Sequence, residues 1–240
     1  MVDISIIITA HREGVIAGTT ARSACQAIER ARAEAGLSAE VILVFDNASR
    51  DTVDVLEHGF AGFEDATVRR LDVSVGDPGQ ARNEGIAAAT GTASTFLDSD
   101  DLWSSNWLVA AHALNQKRPD AVLHSACNVV FGQRRTLWWH VDSEGPLFDE
   151  RYLAWGNYWD AMSFARTEIY REHLFAPNDL KLGFGHEDWH WAALTYANGI
   201  AHKPVPDTLH FKRSRAGSQM SLVDAAGAVV RPLHLKGEPG

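Results

Sequence analysis

Short runs of β-branched and aliphatic residues alternate with longer helical stretches through the first half of the chain. Ile4 to Thr9, Val41 to Asp46, Ala66 to Val73 and Ser94 to Leu97 read as strands, and Ile16 to Ala35, Thr52 to Gly59 and Gln80 to Thr90 read as the helices between them. This alternation predicts a parallel sheet covered by helices. The runs ISIII and EVILVF are almost wholly apolar, as suits strands buried on both faces. Ligands of such sheets bind beyond the carboxyl ends of the strands. Several of these strands run out into polar residues there: Thr9, His11 and Arg12; Asp46 and Asn47; Asp98 and Asp100.

Beyond about residue 117 the texture changes. Strands are expected over Ala121 to Phe131 and Thr136 to Val141, followed by a Trp-rich segment from Trp138 to Trp159, a helix over Glu187 to Asn198 and a strand near Thr208 to Lys212. This half reads as mixed rather than strictly alternating. From Arg213 onward Gly, Ser, Pro and basic residues dominate, which predicts a loop, either closing over a ligand or staying disordered. The chain is thereby divided into residues 1–103, residues 104–215 and a tail over 216–240.

Composition narrows the classes of function. With 240 residues and 45% hydrophobic content the chain can bury a sizeable core. A formal charge of −9 argues against a nucleic-acid partner held through its phosphates, although nucleotide-sized ligands fit. Two cysteines, Cys25 and Cys127, support neither a disulfide framework nor a cysteine metal site, so a reducing, cytoplasmic compartment is expected. The opening MVDISIIITAHREG reads as a buried strand and not as a signal peptide. No stretch reaches the ~20 apolar residues of a membrane span, and an acceptor at the membrane surface stays compatible with this.

The densest chemistry lies in FLDSDDLW, residues 96 to 103, where three carboxylates follow an apolar strand. Asp98 and Asp100 are two apart and share a face of an extended chain, and hard divalent cations bind such oxygens. The alternative is an acidic turn capping the helix expected near Ser105. Upstream, DPGQARNEGIAAATG, residues 77 to 91, places Arg82 and Asn83 at the start of an Ala-rich helix, which suits an anionic ligand. The alternative there is a turn formed by Gly79 and Asn83 beside a solvated Arg82.

Taken together, SIIITAHREG, EVILVFDNASRDT, GQARNEGIAAATG and FLDSDDLW resemble, in order and spacing over residues 4 to 103, the motif series of family 2 glycosyltransferases of the GT-A fold. Thr9 stands where that family commonly has Pro, and Arg12 where it commonly has Asn. The resemblance implies an α/β, GT-A type fold: a Rossmann-like, mostly parallel sheet flanked by helices, with a donor half over 1–103 and a mixed acceptor-binding half over 104–215. It further implies that Thr9, Ala10 and His11 cradle the nucleotide with Glu13 near its ribose. Asp46, with Asn47, would contact the base, and Arg82 the base or phosphates. Asp98 and Ser99 would approach the ribose, and Asp98 and Asp100 would hold Mn²⁺ or Mg²⁺, with Asp101 in reserve. His210, in LHFKRSRAGSQMS, would complete the metal site, while Lys212, Arg213 and Arg215 would neutralise the diphosphate.

A second feature is GFGHEDWHW, residues 183 to 191, with Glu187 and Asp188 at the expected N-terminus of a helix. An inverting transfer needs a carboxylate to take the proton of the acceptor hydroxyl. The resemblance gives that part to Asp188, with Glu187 in reserve; the alternative is stabilisation of the helix terminus. Of the eight Trp residues, Trp189 is the expected acceptor wall, since a flat indole suits the C–H face of a sugar.

These readings lead to an inverting, metal-dependent glycosyltransferase using a nucleotide diphosphate sugar, UDP-sugar foremost, and a saccharide or glycoconjugate acceptor. It would serve polysaccharide or glycoconjugate biosynthesis from the cytoplasm, a place compatible with peripheral attachment to the membrane. The rivals are a non-catalytic carbohydrate or nucleotide-binding module and a sugar nucleotidyltransferase. The latter needs a Gly-rich basic phosphate loop that TAHREGV lacks.

Overall fold

The computed structural model describes residues 2–215 and 217–233. In chain order the elements are β1 (Ile4–Ala10), α1 (Ala17–Ala35), β2 (Ala39–Asp46), α2 (Arg50–Gly59), β3 (Ala66–Val73), α3 (Pro78–Ala88), β4 (Ala93–Asp98), β5 (Leu102–Trp103) and α4 (Trp107–Lys117). There follow β6 (Ala121–Gly132), β7 (Thr136–Trp139), β8 (Ser163–Arg166), α5 (Thr167–Glu172), β9 (Phe184–Gly185), α6 (Glu187–Ala197), β10 (Ala201–Ser214), α7 (Gln219–Ala225) and β11 (Val229–Val230).

One sheet runs through both halves in the order β3-β2-β1-β4-β8-β6-β10-β5, with β7 paired beside β6. The first four strands are parallel. Then β8 enters antiparallel between β4 and β6. It turns a Rossmann-like sheet into a mixed one, and the α/β GT-A type architecture follows. β1 has β2 on one side and β4 on the other, so the chain reverses direction across the sheet there. Such a switch point opens a crevice at the strands' carboxyl ends, which here are Ala10 and Asp98.

The two faces of β1 show why the core forms. Ile4, Ile6 and Ile8 pack with Ala17, Ala21, Ala24 and Ile28 of α1 and with Trp107, Leu108 and Ala111 of α4. Ile7 points the other way, into a second core with Ala81 and Ile86 of α3, Tyr170 of α5 and Trp191 of α6. The period of two along the strand thus feeds both helical layers. Close approach of α3 depends on Gly85, where a Cβ would stand 2.4 Å from the Ile7 side chain. Asp77 caps α3 by accepting from the Gln80 N–H (2.9 Å), and Pro78 begins it.

The tail differs from the loop expected of its composition. Within residues 217–233, α7 forms, and β11 pairs in parallel with β9. Val223 is buried there against Gly185, an apolar contact that a reading dominated by Gly and Ser does not reveal. Residues 234–240 lie outside the described residues.

Candidate active site

Thr9 and Asp98 stand side by side at the ends of β1 and β4, and the Thr9 hydroxyl donates to Asp98 Oδ1 (2.9 Å). Arg82, on α3, reaches the same carboxylate from below with Nη2, at 2.8 and 3.1 Å from its two oxygens. Through Nη1 it donates to Glu187 Oε1 of α6 (3.0 Å). Only 3% of Arg82 is exposed, and its guanidinium lies over the Phe175 ring. It is therefore a buried strut between the end of β4 and the helix carrying the Glu-Asp pair, not a solvated charge. Gly79 makes room for this contact, since a Cβ there would meet the Glu187 side chain at 2.9 Å. Burial works to raise Asp98, but Arg82 and Lys212 hold its carboxyl below the usual range.

The remaining carboxylates of the acidic turn diverge. Asp100 Oδ2 accepts from Arg215 Nε (2.7 Å), and Arg215 also reaches Glu13 (3.1 Å), whose other oxygen accepts from the His11 N–H (2.7 Å). Asp101 is buried and accepts from the Arg213 backbone N–H (2.6 Å), with Lys212 Nζ at 3.5 Å. Burial pushes Asp101 up to about 8, with Asp100 and Asp98 adding repulsion against the pull of Lys212. Asp100 is also raised, first by burial and then by Asp98 and Glu13 against Arg215. Asp188, in the first turn of α6, accepts from the Trp189 N–H (2.7 Å). Burial and the adjacent Glu187 push it up to about 7. A carboxylate near 7 is matched to proton transfer at neutral pH.

The other expected nucleotide contacts surround this centre. Asp46 is buried, and its carboxylate accepts the backbone N–H groups of Val75 (2.9 Å), Gly76 (3.0 Å) and Asp77 (3.2 Å), so it shapes the loop leading into α3. His11 Nδ1 lies 2.6 Å from the Asp46 carbonyl. Asn47 adopts a left-handed conformation (φ 48°) and accepts from the Ser74 hydroxyl (2.8 Å). Ala10 is buried, and Ser99 is buried with its hydroxyl unpartnered. Asp46→Ala should cost about 1–3 kcal/mol of stability, because it strands three backbone donors. Urea unfolding checks this, and calorimetry with UDP on the same variant separates loop ordering from direct base contact.

Three of the expected site residues have partners that the sequence does not reveal. The Trp189 indole N–H is spent on the Leu153 carbonyl (2.8 Å), while Trp155 presents an indole that is 84% exposed. His210 is fully buried against Trp107 (ring centroids 4.5 Å apart), and its charged and titratable neighbours are Asp160, His140 and Lys212 rather than Asp98 or Asp100. Lys212, expected on a closing loop, is instead a largely buried bridge between Asp101 and Asp160 (3.1 Å). Sequence reasoning passed over Asp160, which lies in WDAMSFAR without any spacing signal.

The carboxylate oxygens of the acidic turn are of the kind a hard divalent cation takes, and in this structure Arg82 holds Asp98 and Arg215 holds Asp100. Three carboxylates fall within four residues, and two of them are raised by burial and mutual repulsion, the state that a bound cation would relieve. Asp100 and Asp98 would hold it, with Asp101 beside them.

The model of Glycosyl transferase family 2 matches residues 5–174, and the chain belongs to that family. It is 43% identical over 89 residues to the succinoglycan biosynthesis protein ExoO of Rhizobium meliloti, an alignment covering 36% of this chain and 24% of that protein. It is similar in structure to Staphylococcus aureus TarS 1-349 in complex with UDP-GlcNAc (TM-score 0.66, 19% identity), covering 91% of this chain and 60% of that one. It is also similar to the mannosyltransferase PcManGT of Pyrobaculum calidifontis in complex with GDP-Man and Mn²⁺ (TM-score 0.64, 14% identity), covering 91% of this chain and 59% of that one. The chain thus spans less than two thirds of these relatives.

Proposed function

We propose that the chain transfers a sugar from a nucleoside diphosphate sugar, a UDP-sugar foremost, to an acceptor hydroxyl with inversion, in polysaccharide or glycoconjugate synthesis. The observation carrying this reading is that Arg82 binds Asp98 and Glu187 at once, so the acidic turn and the Glu187-Asp188 pair share one site. Family membership and the titles of the similar structures support it, since these contain UDP-GlcNAc in one case and GDP-Man with Mn²⁺ in the other.

The chain's own groups divide the work. The ends of β1 and β2, from Thr9 to Glu13 and at Asp46 and Asn47, receive the nucleotide. Asp188 takes the acceptor proton as the acceptor oxygen bonds to the anomeric carbon, and the bond to the diphosphate breaks with its electron pair on the leaving oxygen. One base and one displacement suffice, which is why inversion follows. A Mn²⁺ or Mg²⁺ ion at Asp98 and Asp100 would supply Lewis-acid stabilisation of the charge on that diphosphate. Arg215 holds Asp100 and Glu13 together and is positioned to pair with phosphate oxygens when it releases them. The exposed Trp155 and Tyr152 offer apolar faces for the acceptor. Among the described residues no helix is long and apolar enough to cross a membrane.

The test is release of nucleoside diphosphate from a panel of UDP-, GDP- and TDP-sugars, with and without Mn²⁺. Metal-dependent release with one donor and a saccharide acceptor is expected. A melting shift with donor but no release under any condition would establish a binding module instead.

A further inference from the structure

Lys212 links the acidic turn to a second, wholly buried group of titratable side chains: His124 of β6, His140 just after β7, Asp160 ahead of β8, and His202 and His210 of β10. Their hydrogen bonds determine where the protons sit. The Thr195 hydroxyl lies 2.8 Å from the Trp191 carbonyl and 3.0 Å from that of Ala192, so its hydrogen is spent on these acceptors. With the hydroxyl hydrogen on those carbonyls, His202 Nε2, 2.9 Å from the hydroxyl, donates to it and His202 Nδ1 becomes an acceptor. His124 Nε2 then donates to His202 Nδ1 (2.9 Å), leaving His124 Nδ1 as a bare lone pair. His140 Nδ1 faces the Ser125 carbonyl (2.7 Å) and must donate, leaving Nε2 bare. Asp160 Oδ2 accepts from Asn128 (2.8 Å) and lies 3.1 Å from Lys212 Nζ, while Oδ1 has no donor.

Three buried lone pairs therefore face a common region with no hydrogen to satisfy them. His124, His140 and Asp160 each offer a ligand atom there, all within 4.8 Å of one another. His140 Nε2 and Asp160 Oδ1 are 3.9 Å apart, too far for a hydrogen bond between them. A water molecule brings two hydrogens for three acceptors and leaves one unsatisfied. A cation satisfies all three. Two imidazoles and a carboxylate are the donor set of zinc, whose tetrahedral ligand atoms stand about 3.3 Å apart, within reach of small side-chain rotations. The outer partners are those a metal site needs, because each ligating imidazole donates its other N–H and so presents a lone pair inward.

We infer that His124, His140 and Asp160 form a zinc site separate from the acidic turn, with a water molecule in the fourth position. The ion joins β6, the end of β7 and the segment entering β8, and by fixing Asp160 it fixes Lys212, which bridges Asp160 and Asp101.

The experiment measures metal content of the purified protein, then visible absorption after replacement by Co²⁺. One zinc per chain is expected, with the intense d–d bands of four-coordinate Co²⁺, and loss of the ion to a strong chelator should lower the melting temperature by about 5 °C or more. His140→Ala and Asp160→Asn should lose zinc, whereas Asp100→Ala should retain it. Failure of the wild-type protein to bind either zinc or Co²⁺ stoichiometrically would overturn the site in favour of water. Retention of zinc in folded His140→Ala, or its loss in Asp100→Ala, would overturn the assignment of ligands. If the variants do not fold, the wild-type Co²⁺ spectrum decides: absence of four-coordinate bands rejects the site.

Discussion

Asp188→Asn is expected to lower sugar transfer by about 10²–10⁴-fold, the usual contribution of a general base, while donor affinity stays near that of the wild-type protein. The amide oxygen can still accept from the Trp189 N–H, so the start of α6 is preserved and only the proton acceptor is lost. Because burial and Glu187 raise Asp188 to about 7, wild-type kcat/KM should climb with pH and level off above about 7, and the residual activity of the variant should lack that limb. Linkage gives a second readout. A carboxyl raised in the folded state keeps its proton from the unfolded value near 3.8 up to about 7, so its contribution to stability is lost as pH rises through that window. The variant escapes this loss and should gain in melting temperature relative to wild type at pH 8 over pH 5. Turnover within a few fold of wild type would remove Asp188 as the base and make Glu187→Gln the next variant to assay.

Asp100→Ala should abolish the stabilisation that Mn²⁺ and nucleotide produce together and reduce metal-dependent turnover by on the order of 10²–10³-fold, as for loss of one preorganised electrostatic partner. The apo protein should melt at nearly the wild-type temperature. Asp100 is already raised by burial and by the charges of Asp98 and Glu13, so its removal relieves repulsion, while Arg215 keeps Glu13 as a partner. Protons and metal compete for the same oxygens, and Asp101 is raised to about 8. The Mn²⁺-induced melting shift of the wild-type protein should therefore grow between about pH 6 and 8, as binding requires deprotonated ligands. Full Mn²⁺-dependent turnover in Asp100→Ala, or a shift independent of pH, would place the metal elsewhere.

The sequence by itself determined the order and kind of the elements in the first half. Runs such as ISIII and EVILVF, Asp77 with Pro78 at a helix start, and polar residues where β1, β2 and β4 run out act over a few positions, and local backbone preference and burial are enough to read them. The acidic turn and the Glu187-Asp188 pair were legible for the same reason, since each is contiguous. What only the tertiary structure decided is which charges meet. Arg82 and Glu187 are 105 residues apart and touch because α3 and α6 cover the same face of the sheet. Lys212 comes to lie between Asp101 and Asp160 because β10 runs parallel to β6 and also pairs with β5. His124, His140 and His202 share no sequence spacing because they sit on β6, just after β7 and on β10, which strand order alone brings together. The Trp189 N–H found a carbonyl 36 residues away, and Val223 of α7 became buried against Gly185. Such pairings depend on chain reversals and on desolvation at a distance, and neither leaves a period in the sequence.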